Sequence, residues 1–303
     1  MPWGSSWSRS PGTPHTLRKH WIIMQACKAA TALLSVALTL ASLTAVGDSK
    51  LLGTSGGQQI EGQAGGGIVP WALLAGYGDV GEMGVSAAAT RVALDDFTLD
   101  VAGLAVSYHN RFELSYARQT LDVEPLGLEI QQDVIGAKLR LGGDLIYGKT
   151  PVITAGIQWK KNRDNTVPEL LGATDDRGVD YTLSASRLWL DAFAGRNVFA
   201  NATLRYTEAN QTGLLGFGGP DGGPRVVAEG SLGVFLSRRW VVGAEYRQKP
   251  DQLDSVAEDA WADLFVGWFP GKRVSVIGAY TDLGDIAGLT DQRGFYLSLQ
   301  FTH

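Results

Sequence analysis

After residue 84 the sequence consists of short segments in which apolar and polar side chains alternate. Residues 151–160 are the clearest case, because Ile153, Ile157 and Trp159 share one phase while more polar residues fill the other. A period of two places successive side chains on opposite faces of a β-strand. No apolar stripe of helical period and useful length occurs after residue 50. The sequence therefore predicts an all-β chain.

The alternating segments are separated by clusters of Gly, Asp, Asn and Pro, which favour turns. We count twelve of them, most 8–12 residues long. A strand tilted by about 45° needs roughly 9–11 residues to cross a bilayer, so these lengths suit membrane-spanning strands. The segments are 84–93, 97–108, 111–119, 134–142, 151–160, 180–190, 198–208, 225–236, 240–248, 259–268, 274–281 and 294–302.

The connections between these segments alternate in length after the first one. In order from residue 94 they hold 3, 2, 14, 8, 19, 7, 16, 3, 10, 5 and 12 residues. Barrels of the outer membrane have short periplasmic turns and longer outer loops. An even number of strands with both ends in the periplasm puts every long connection outside. The short connection 94–96 is the exception to this pattern.

Aromatic residues on the predicted outward face fall near the two ends of the segments. Aromatic rings prefer the membrane interface, so two aromatic belts around an apolar band are typical of a barrel in lipid. A soluble β-sandwich has no reason to sort its aromatic residues in this way. The outer belt is expected to contain Tyr116, Trp159, Tyr181, Tyr206, Tyr246 and Tyr280, and the periplasmic belt Phe112, Trp189, Trp240, Trp268 and Phe301.

Backbone hydrogen bonding then decides the fold. In hydrocarbon an unpaired N–H or C=O costs several kcal/mol, so only helices and closed barrels span a membrane. We predict a closed antiparallel transmembrane β-barrel of about twelve strands over residues 84–303. The 39 glycines in 303 residues suit strands that bend around a barrel. The mean hydropathy of −0.01 excludes a polytopic helical membrane protein.

The N-terminal region has the pattern of a secretory signal peptide. Residues 29–46 are uncharged and follow Arg18, Lys19 and Lys28, and small residues precede a cleavage position after Gly47. We expect residues 1–47 to be removed on export; a short membrane anchor is the alternative. Residues 1–23 have no part in this pattern, and translation starting at Met24 would explain them.

Residues 48–83 are glycine-rich and include the apolar stretch 68–75. Three paths stay open for this segment: a plug in the lumen, a periplasmic lead-in, or a further strand. Pro70 argues against a central strand, since proline cannot donate to the ladder. A segment in the lumen or the periplasm is favoured, and the rival is that this stretch replaces 84–93 as the first strand.

Several motifs resemble the proteobacterial family catalogued as domain of unknown function 3034. They are Gly65-Gly-Gly-Ile-Val-Pro-Trp71, Ala209-Asn-Gln-Thr-Gly-Leu-Leu-Gly-Phe-Gly-Gly219, Gly243-Ala-Glu-Tyr-Arg-Gln-Lys-Pro-Asp251, Asp263-Leu-Phe-Val-Gly-Trp-Phe-Pro270 and Asp291-Gln-Arg-Gly-Phe-Tyr-Leu-Ser-Leu299. The resemblance covers most of the chain from about residue 50. It implies an outer-membrane protein of Gram-negative bacteria, and it carries no established activity and no functional residues.

Charged residues occur at inward positions of the predicted strands. Buried charges must meet water or one another, because an isolated charge away from water costs several kcal/mol. Two interpretations have equal weight: a polar pore for small solutes, or a ladder of salt bridges filling a closed lumen. The lumen-lining candidates are Glu113, Lys138, Arg140, Asp180, Arg205, Glu229, Glu245, Arg247 and Asp263.

Catalysis and cofactor binding find little support. Cys27 is the only cysteine and precedes the expected cleavage, and His109 and His303 are the only histidines after it. We expect no enzyme, no cofactor and no metal site, and the net charge of −5 disfavours nucleic acid as a partner. The predicted function is a narrow pore or transport-related protein; the alternative is a structural or adhesive barrel that binds surface partners or lipopolysaccharide. Expected partners are outer-membrane lipid, lipopolysaccharide, the barrel-assembly machinery and small solutes.

Overall fold

The computed structural model describes residues 50–220, 222–253 and 258–303. The predicted signal peptide, 1–47, lies outside these residues. In the described part a two-stranded hairpin precedes twelve longer strands. One α-helical turn, α1 (Thr166–Leu170), and one 3₁₀ turn (Asn210–Gly213) lie in loops. The strands are β1 (Gly57–Gln58), β2 (Ala64–Gly65), β3 (Met83–Leu94), β4 (Phe97–Tyr108), β5 (Phe112–Val123), β6 (Leu128–Gly142), β7 (Val152–Asn162), β8 (Arg177–Phe193), β9 (Arg196–Thr207), β10 (Arg225–Phe235), β11 (Trp240–Arg247), β12 (Trp261–Gly271), β13 (Val274–Asp282) and β14 (Arg293–Thr302).

Strands β3 to β14 form one closed antiparallel barrel, as predicted. Each strand pairs with its neighbours in sequence, and β14 pairs with β3 to close the sheet, in a register from Gly294 opposite Leu94 to Thr302 opposite Ser86. The backbones of His303 and Val85 extend this ladder by exchanging two hydrogen bonds of 2.8 and 2.7 Å. Closure removes the free edges that lipid would leave without partners.

Burial alternates along the barrel strands, so each strand has an inner and an outer face. In β14 every second residue from Tyr296 to Thr302 is buried while Phe295, Leu297, Leu299 and Phe301 are exposed. All eleven aromatic residues predicted for the two belts are exposed on the outer face. Tyr181 and Tyr206 lie side by side near one end, and Trp240 stacks on Trp268 near the other. The outer surface is therefore an apolar band between two aromatic belts.

The longest connections cluster at the barrel end opposite the C-terminus, namely 163–176, 208–224, 248–260 and 283–292. Two predicted connections are wrong. The predicted loop 120–133 is a turn of residues 124–127, because β5 and β6 continue with Leu121, Val123 and Ile130 buried inside. The outward residues of these extensions are polar, so a criterion based on lipid-facing apolar residues ended the strands too early.

The second wrong connection is 191–197. Strand β8 runs to Phe193 and β9 starts at Arg196, so the turn consists of residues 194 and 195. Both have positive φ, 49° at Ala194 and 69° at Gly195. Such a pair of angles matches the twist of a two-residue hairpin. Ala194 is not one of the usual residues at such a position, so no sequence signal marks this turn.

Residues 53–78, here called the lumen segment, lie inside the barrel. The backbone N–H of Lys50 donates to the Tyr77 carbonyl at 3.3 Å, so the chain enters and leaves at the same end, close to the C-terminus. Between these points β1 and β2 pair, and the tip includes Gly62 with φ 91°. A methyl group at Gly62 would lie 2.9 Å from the Ala117 side chain, so this position requires glycine. Residues 68–77 are not a strand of the barrel.

No helix in the described residues is long and apolar enough to cross a membrane.

Candidate functional site

The inner face of the barrel carries all nine of the lumen-lining candidates. Eight are buried, whereas Arg140 is partly exposed near the C-terminal end of the barrel and donates to the Gly143 carbonyl at 2.7 Å. The alternation that exposes Tyr246 to lipid points Glu245 and Arg247 inward. The structure divides the eight buried residues into three groups, each of which contacts the lumen segment or lies next to it.

The central group surrounds Glu61, the acidic residue near the tip of the lumen segment. One oxygen of Glu61 accepts from Lys160 Nζ at 2.5 Å and from Arg247 Nη2 at 2.7 Å. The other accepts from Arg205 Nη2 at 3.1 Å. The Glu61 side chain is fully buried, and charges from three different strands converge on it. Three cations hold the pKa of this carboxyl well below its usual range.

Arg205 and Asp180 complete the central group. Arg205 donates to Asp180 at 2.8 Å, to Gln158 at 2.6 Å and to Glu229, which also pairs with Arg247. Asp180 in turn accepts from Lys160. Three acids, Glu61, Asp180 and Glu229, face three bases, Lys160, Arg205 and Arg247, so this group is neutral. Full pairing of this kind is what buried charges require.

The second group joins the two arms of the lumen segment to the wall. The Glu113 carboxylate accepts from the backbone N–H of Ala64 at 3.2 Å and of Ala75 at 2.7 Å. Lys138 Nζ donates to the carbonyls of Ala64, Trp71 and Leu73 at 2.5, 2.9 and 3.1 Å. The two side chains are 3.8 Å apart. They bind backbone groups of both arms of the lumen segment, and the Ala64 carbonyl also accepts from the Trp71 N–H at 3.2 Å.

The third group consists of Glu245 and Asp263. Glu245 accepts from the backbone N–H of Gly67 at 2.7 Å and of Ile68 at 2.8 Å, and its other oxygen accepts from Ser231 and Trp71. Asp263 lies directly opposite Glu245 in the ladder of β11 and β12. Neither carboxylate oxygen of Asp263 has a hydrogen-bond partner among the described residues.

Sequence reasoning missed two members of the central group. Lys160 follows Gln158 in the inward phase of its segment, so the alternation could have found it. Glu61 lies in a glycine-rich stretch without any period. Its position depends on contacts with Lys160, Arg205 and Arg247, which are far away in sequence, and no local signal reports it.

Loop 208–224 covers the end of the lumen that is opposite the C-terminus. Its residues 209–219 are buried, and the Thr212 carbonyl accepts from Lys160 Nζ at 2.9 Å. The backbone N–H of Gln211 donates to both oxygens of Glu258 at 3.0 and 2.9 Å. Burial raises the pKa of Glu258 to about 7 and lowers the pKa of neighbouring Lys249 to about 7. The loop is therefore held by a pair whose charges change near neutral pH.

The lumen is closed in this state. The lumen segment fills its middle, loop 208–224 fills the far end, and cavities of about 20 and 10 Å³ remain inside. Each has room for about one water molecule. Two larger cavities open at the C-terminal end, one of about 860 Å³ beside Leu51 and Arg196 and one of about 680 Å³ beside Leu73 and Leu145. Solute passage requires that both internal elements move.

The two histidines of the predicted mature chain lie at the C-terminal end of the barrel. His109 occupies the turn between β4 and β5, and its Nδ1 accepts from the Gly81 backbone at 3.2 Å. His303 follows β14 and pairs with Val85 through its backbone. The long loops lie at the other end of the barrel, so neither histidine is near them.

A closed twelve-stranded sheet, an apolar outer band with two aromatic belts, and charged and polar groups buried inside the sheet define an outer-membrane β-barrel. The three groups of buried charged residues lie inside the barrel, and the lumen segment occupies its interior. The chain belongs to the family described as Protein of unknown function (DUF3034), whose profile matches residues 54–300. A search of curated protein sequences gave no significant match.

Solved structures with similar architecture include several barrels. The structure titled KdgM porin has 10% identity and a TM-score of 0.45, covering 71% of this chain and 98% of the other. The outer membrane protein Omp33 of Acinetobacter baumannii has 10% identity and a TM-score of 0.45, covering 72% and 97%. The COG4313 outer membrane channel of Pseudomonas putida F1 has 12% identity and a TM-score of 0.43, covering 75% and 97%. Similarity at this level carries no argument about function.

Proposed function

We propose that the protein is a narrow outer-membrane pore for small hydrophilic solutes, and that the structure is its closed state. The observation that supports this proposal is the nature of the lumen segment. It is joined covalently to the wall through residues 79–82, and elsewhere it is held by non-covalent contacts: ion pairs, hydrogen bonds and apolar side chains such as Ile68 and Trp71 packed against the wall. It can therefore leave the lumen without disturbing the sheet.

Part of the wall behind the segment is polar and suits water. Its buried inner face includes Thr154, Gln158, Ser184, Ser186 and Thr203 as well as the charged groups. These side chains can exchange their present partners for water at small net cost, because hydrogen bonds to protein and to water are nearly equivalent.

Planar-bilayer recording of the mature chain tests the proposal. We expect rare, small openings in the wild type and a larger, steady conductance after deletion of residues 50–78. A disulfide provides the matched control. Ala64 and Ala75 of the segment pack with Ala105 of β4, so Ala75→Cys with Ala105→Cys should lock the closed state. Conductance that appears only on reduction supports the pore. A deleted barrel that passes neither ions nor solutes contradicts it.

We also propose contact with lipopolysaccharide at the loop end. Arg118 and Arg163 share one acid, Asp133, at 2.9 and 2.7 Å, beside the exposed Tyr116. Two guanidinium groups against one carboxylate leave a positive charge that phosphate can use. Arg163→Ala should weaken binding of lipopolysaccharide to the purified barrel. Equal binding by the variant would contradict this contact.

One deletion separates the pore from an adhesive barrel. Deletion of 209–224 should change conductance in a pore, whereas an adhesin should lose surface binding instead. Insertion of either through the barrel-assembly machinery would use the C-terminal strand β14, which ends in aromatic Phe301 followed by two residues.

A further inference from the structure

The inner face of the barrel changes from polar to apolar toward the C-terminal end. Along β8 the inward residues Ser184 and Ser186 are followed by Leu188 and Leu190 in the same phase. Phe199 of β9 lies directly opposite Leu188 and is buried as well. Lipid covers only the outer face of the sheet, so these side chains need apolar partners inside the barrel.

The lumen segment covers only part of this apolar surface. Trp71 packs against it, with its ring centroid 4.4 Å from that of Phe199. Beside this contact lies the cavity of about 860 Å³ that opens at the C-terminal end, here called the mouth cavity. Leu51, Leu190 and Leu236 line it and are 57%, 46% and 45% exposed. Apolar surface left open to water in this way is typical of a ligand-binding groove.

The rim of the mouth cavity is basic. Its lining includes three bases, Arg196, Arg238 and Arg239, and one acid, Asp191, all of them exposed. Arg196 donates to the Leu236 carbonyl, and none of the three arginines forms an ion pair with a described residue. The rim therefore has an excess of two positive charges, and guanidinium groups of this kind bind carboxylates well.

The size and depth of the mouth cavity suit a small molecule with a flexible chain. Its volume is within the range of about 300–1,000 Å³ that is usual for small-molecule sites. Leu188 and Phe235 line it and also line the cavity of about 20 Å³ that lies deeper in the barrel. The other residues around that deeper cavity include Phe199 and Val241, and none of those described is charged. The surface thus changes from basic at the rim to apolar inside.

We propose that the mouth cavity binds a single-chain amphiphilic anion, such as an alkyl carboxylate. The chain lies against Leu188 and Phe235, and the carboxylate lies at Arg238 and Arg239. Burial of the chain removes apolar surface from water, which is favourable in proportion to the area buried. A hydrophilic anion would leave the leucines exposed, and an uncharged hydrocarbon would leave the arginines without an anion. Both parts of the ligand are therefore required.

The position of the cavity favours a free amphiphile over a phospholipid of the membrane. The cavity lies on the inner side of the sheet, whereas Trp189 of β8 and the stacked Trp240 and Trp268 face the lipid on the outer side. A two-chain phospholipid would have to leave its leaflet and pass around the rim, but a free anion reaches the opening directly from water. The site is formed in the closed barrel, so it does not depend on the proposed pore.

Binding is measured by methyl NMR on the refolded predicted mature chain in nanodiscs of neutral phosphatidylcholine. Leucine methyl groups are labelled, and decanoate is titrated. Leu51 and Leu236 report the mouth cavity, whereas lipid-facing Leu264 reports decanoate that has dissolved in the bilayer. We expect saturable shifts at the first two, with a dissociation constant of about 1 mM or tighter, and no saturable shift at Leu264.

Two matched probes separate the chain from the charge. Decanol has the same chain without the carboxylate and should bind more weakly than decanoate. Octanoate has two CH₂ groups fewer and should bind about tenfold more weakly.

Three variants test the residues. Arg238→Gln combined with Arg239→Gln should weaken decanoate about 3–10-fold and leave decanol unchanged. Leu190→Asn should weaken both probes. Arg273→Gln removes an exposed arginine from another turn of the same end that does not line the cavity, and it should change neither. Heat-modifiable migration on a gel checks that each variant is folded.

The site is refuted if Leu51 and Leu236 show no saturable shift up to about 5 mM decanoate, which is above the expected constant. Equal affinity for decanol and decanoate, or equal binding by the double arginine variant and Arg273→Gln, would overturn the assignment to an anion. The same shifts in phosphatidylglycerol nanodiscs without decanoate would assign the cavity to a phospholipid instead. None of these results depends on conductance, so the pore and this site stand or fall separately.

Discussion

Substitution of Glu61 by glutamine tests the central ion-pair group. Glutamine keeps the shape of the side chain and one oxygen acceptor but removes the charge. In the structure this carboxylate faces Lys160, Arg205 and Arg247 at 2.5–3.1 Å. The neutral group of three acids and three bases would keep one excess positive charge in a buried place.

Loss of one partner from a buried ion pair costs about 3–5 kcal/mol. The lower end applies here, because each of the three cations retains another acid: Asp180 beside Lys160 and Arg205, and Glu229 beside Arg205 and Arg247. If about 3 kcal/mol is lost from docking of the lumen segment, the open population rises on the order of 10²-fold, since 1.4 kcal/mol is tenfold.

Two assays measure this effect. Open probability in planar bilayers should rise in Glu61→Gln, and a cysteine at Ala64, which is 1% exposed, should react about 10² times faster with a thiol reagent. The predicted mature chain has no other cysteine, because Cys27 precedes the cleavage position. Glu129→Gln is the control for a lost carboxylate. Unchanged labelling and conductance in Glu61→Gln would refute the view that this group holds the segment.

Two further predictions concern the outer surface and the loop end. Ala202→Arg places a charge midway along β9 on the lipid face and should lower the free energy of unfolding in lipid by about 2–4 kcal/mol. Val226→Arg places the same charge level with the aromatic belt and should lower this free energy by only about 0–1 kcal/mol. Equal losses for the two variants in a urea titration would contradict the position of the membrane. The docking of loop 208–224 should be weakest near pH 7. The raised pKa of Glu258, about 7 against the ordinary 4.5, gives a contribution that declines as pH rises between these values, and the lowered pKa of Lys249, about 7 against 10.5, gives one that recovers above pH 7. Hydrogen exchange of the Gln211 amide measures this docking. Protection should fall from pH 5 to 7 in the wild type, and this fall should be absent in Glu258→Gln. Constant protection in the wild type over this range would contradict the prediction.

The wall of the barrel could be predicted because its physics is local. A strand between lipid and lumen must alternate, so the sequence of β11 alone places Tyr246 outside and Glu245 and Arg247 inside. Sheet closure then follows from the absence of water in the bilayer. The errors occur where a strand leaves the lipid: in β5 and β6 the outward residues become polar, and only the inner face retains apolar residues such as Leu121 and Ile130.

The interior could be predicted only in part. The positions of Glu113 and Lys138 follow from alternation, but their function as acceptors and donors for Ala64, Ala75 and Trp71 depends on a segment without periodicity.

The side-by-side placement of Lys50 and Tyr77 has a consequence for assembly. A chain that went in at one end of a tube and came out at the other would have to be threaded before the tube formed. Here both arms of the lumen segment pass through the same opening. The twelve strands can therefore close into the barrel first, and the segment can enter or leave afterwards as a loop, without a chain end passing through the barrel. Insertion of the barrel into the membrane and later movement of the lumen segment are thereby separate events.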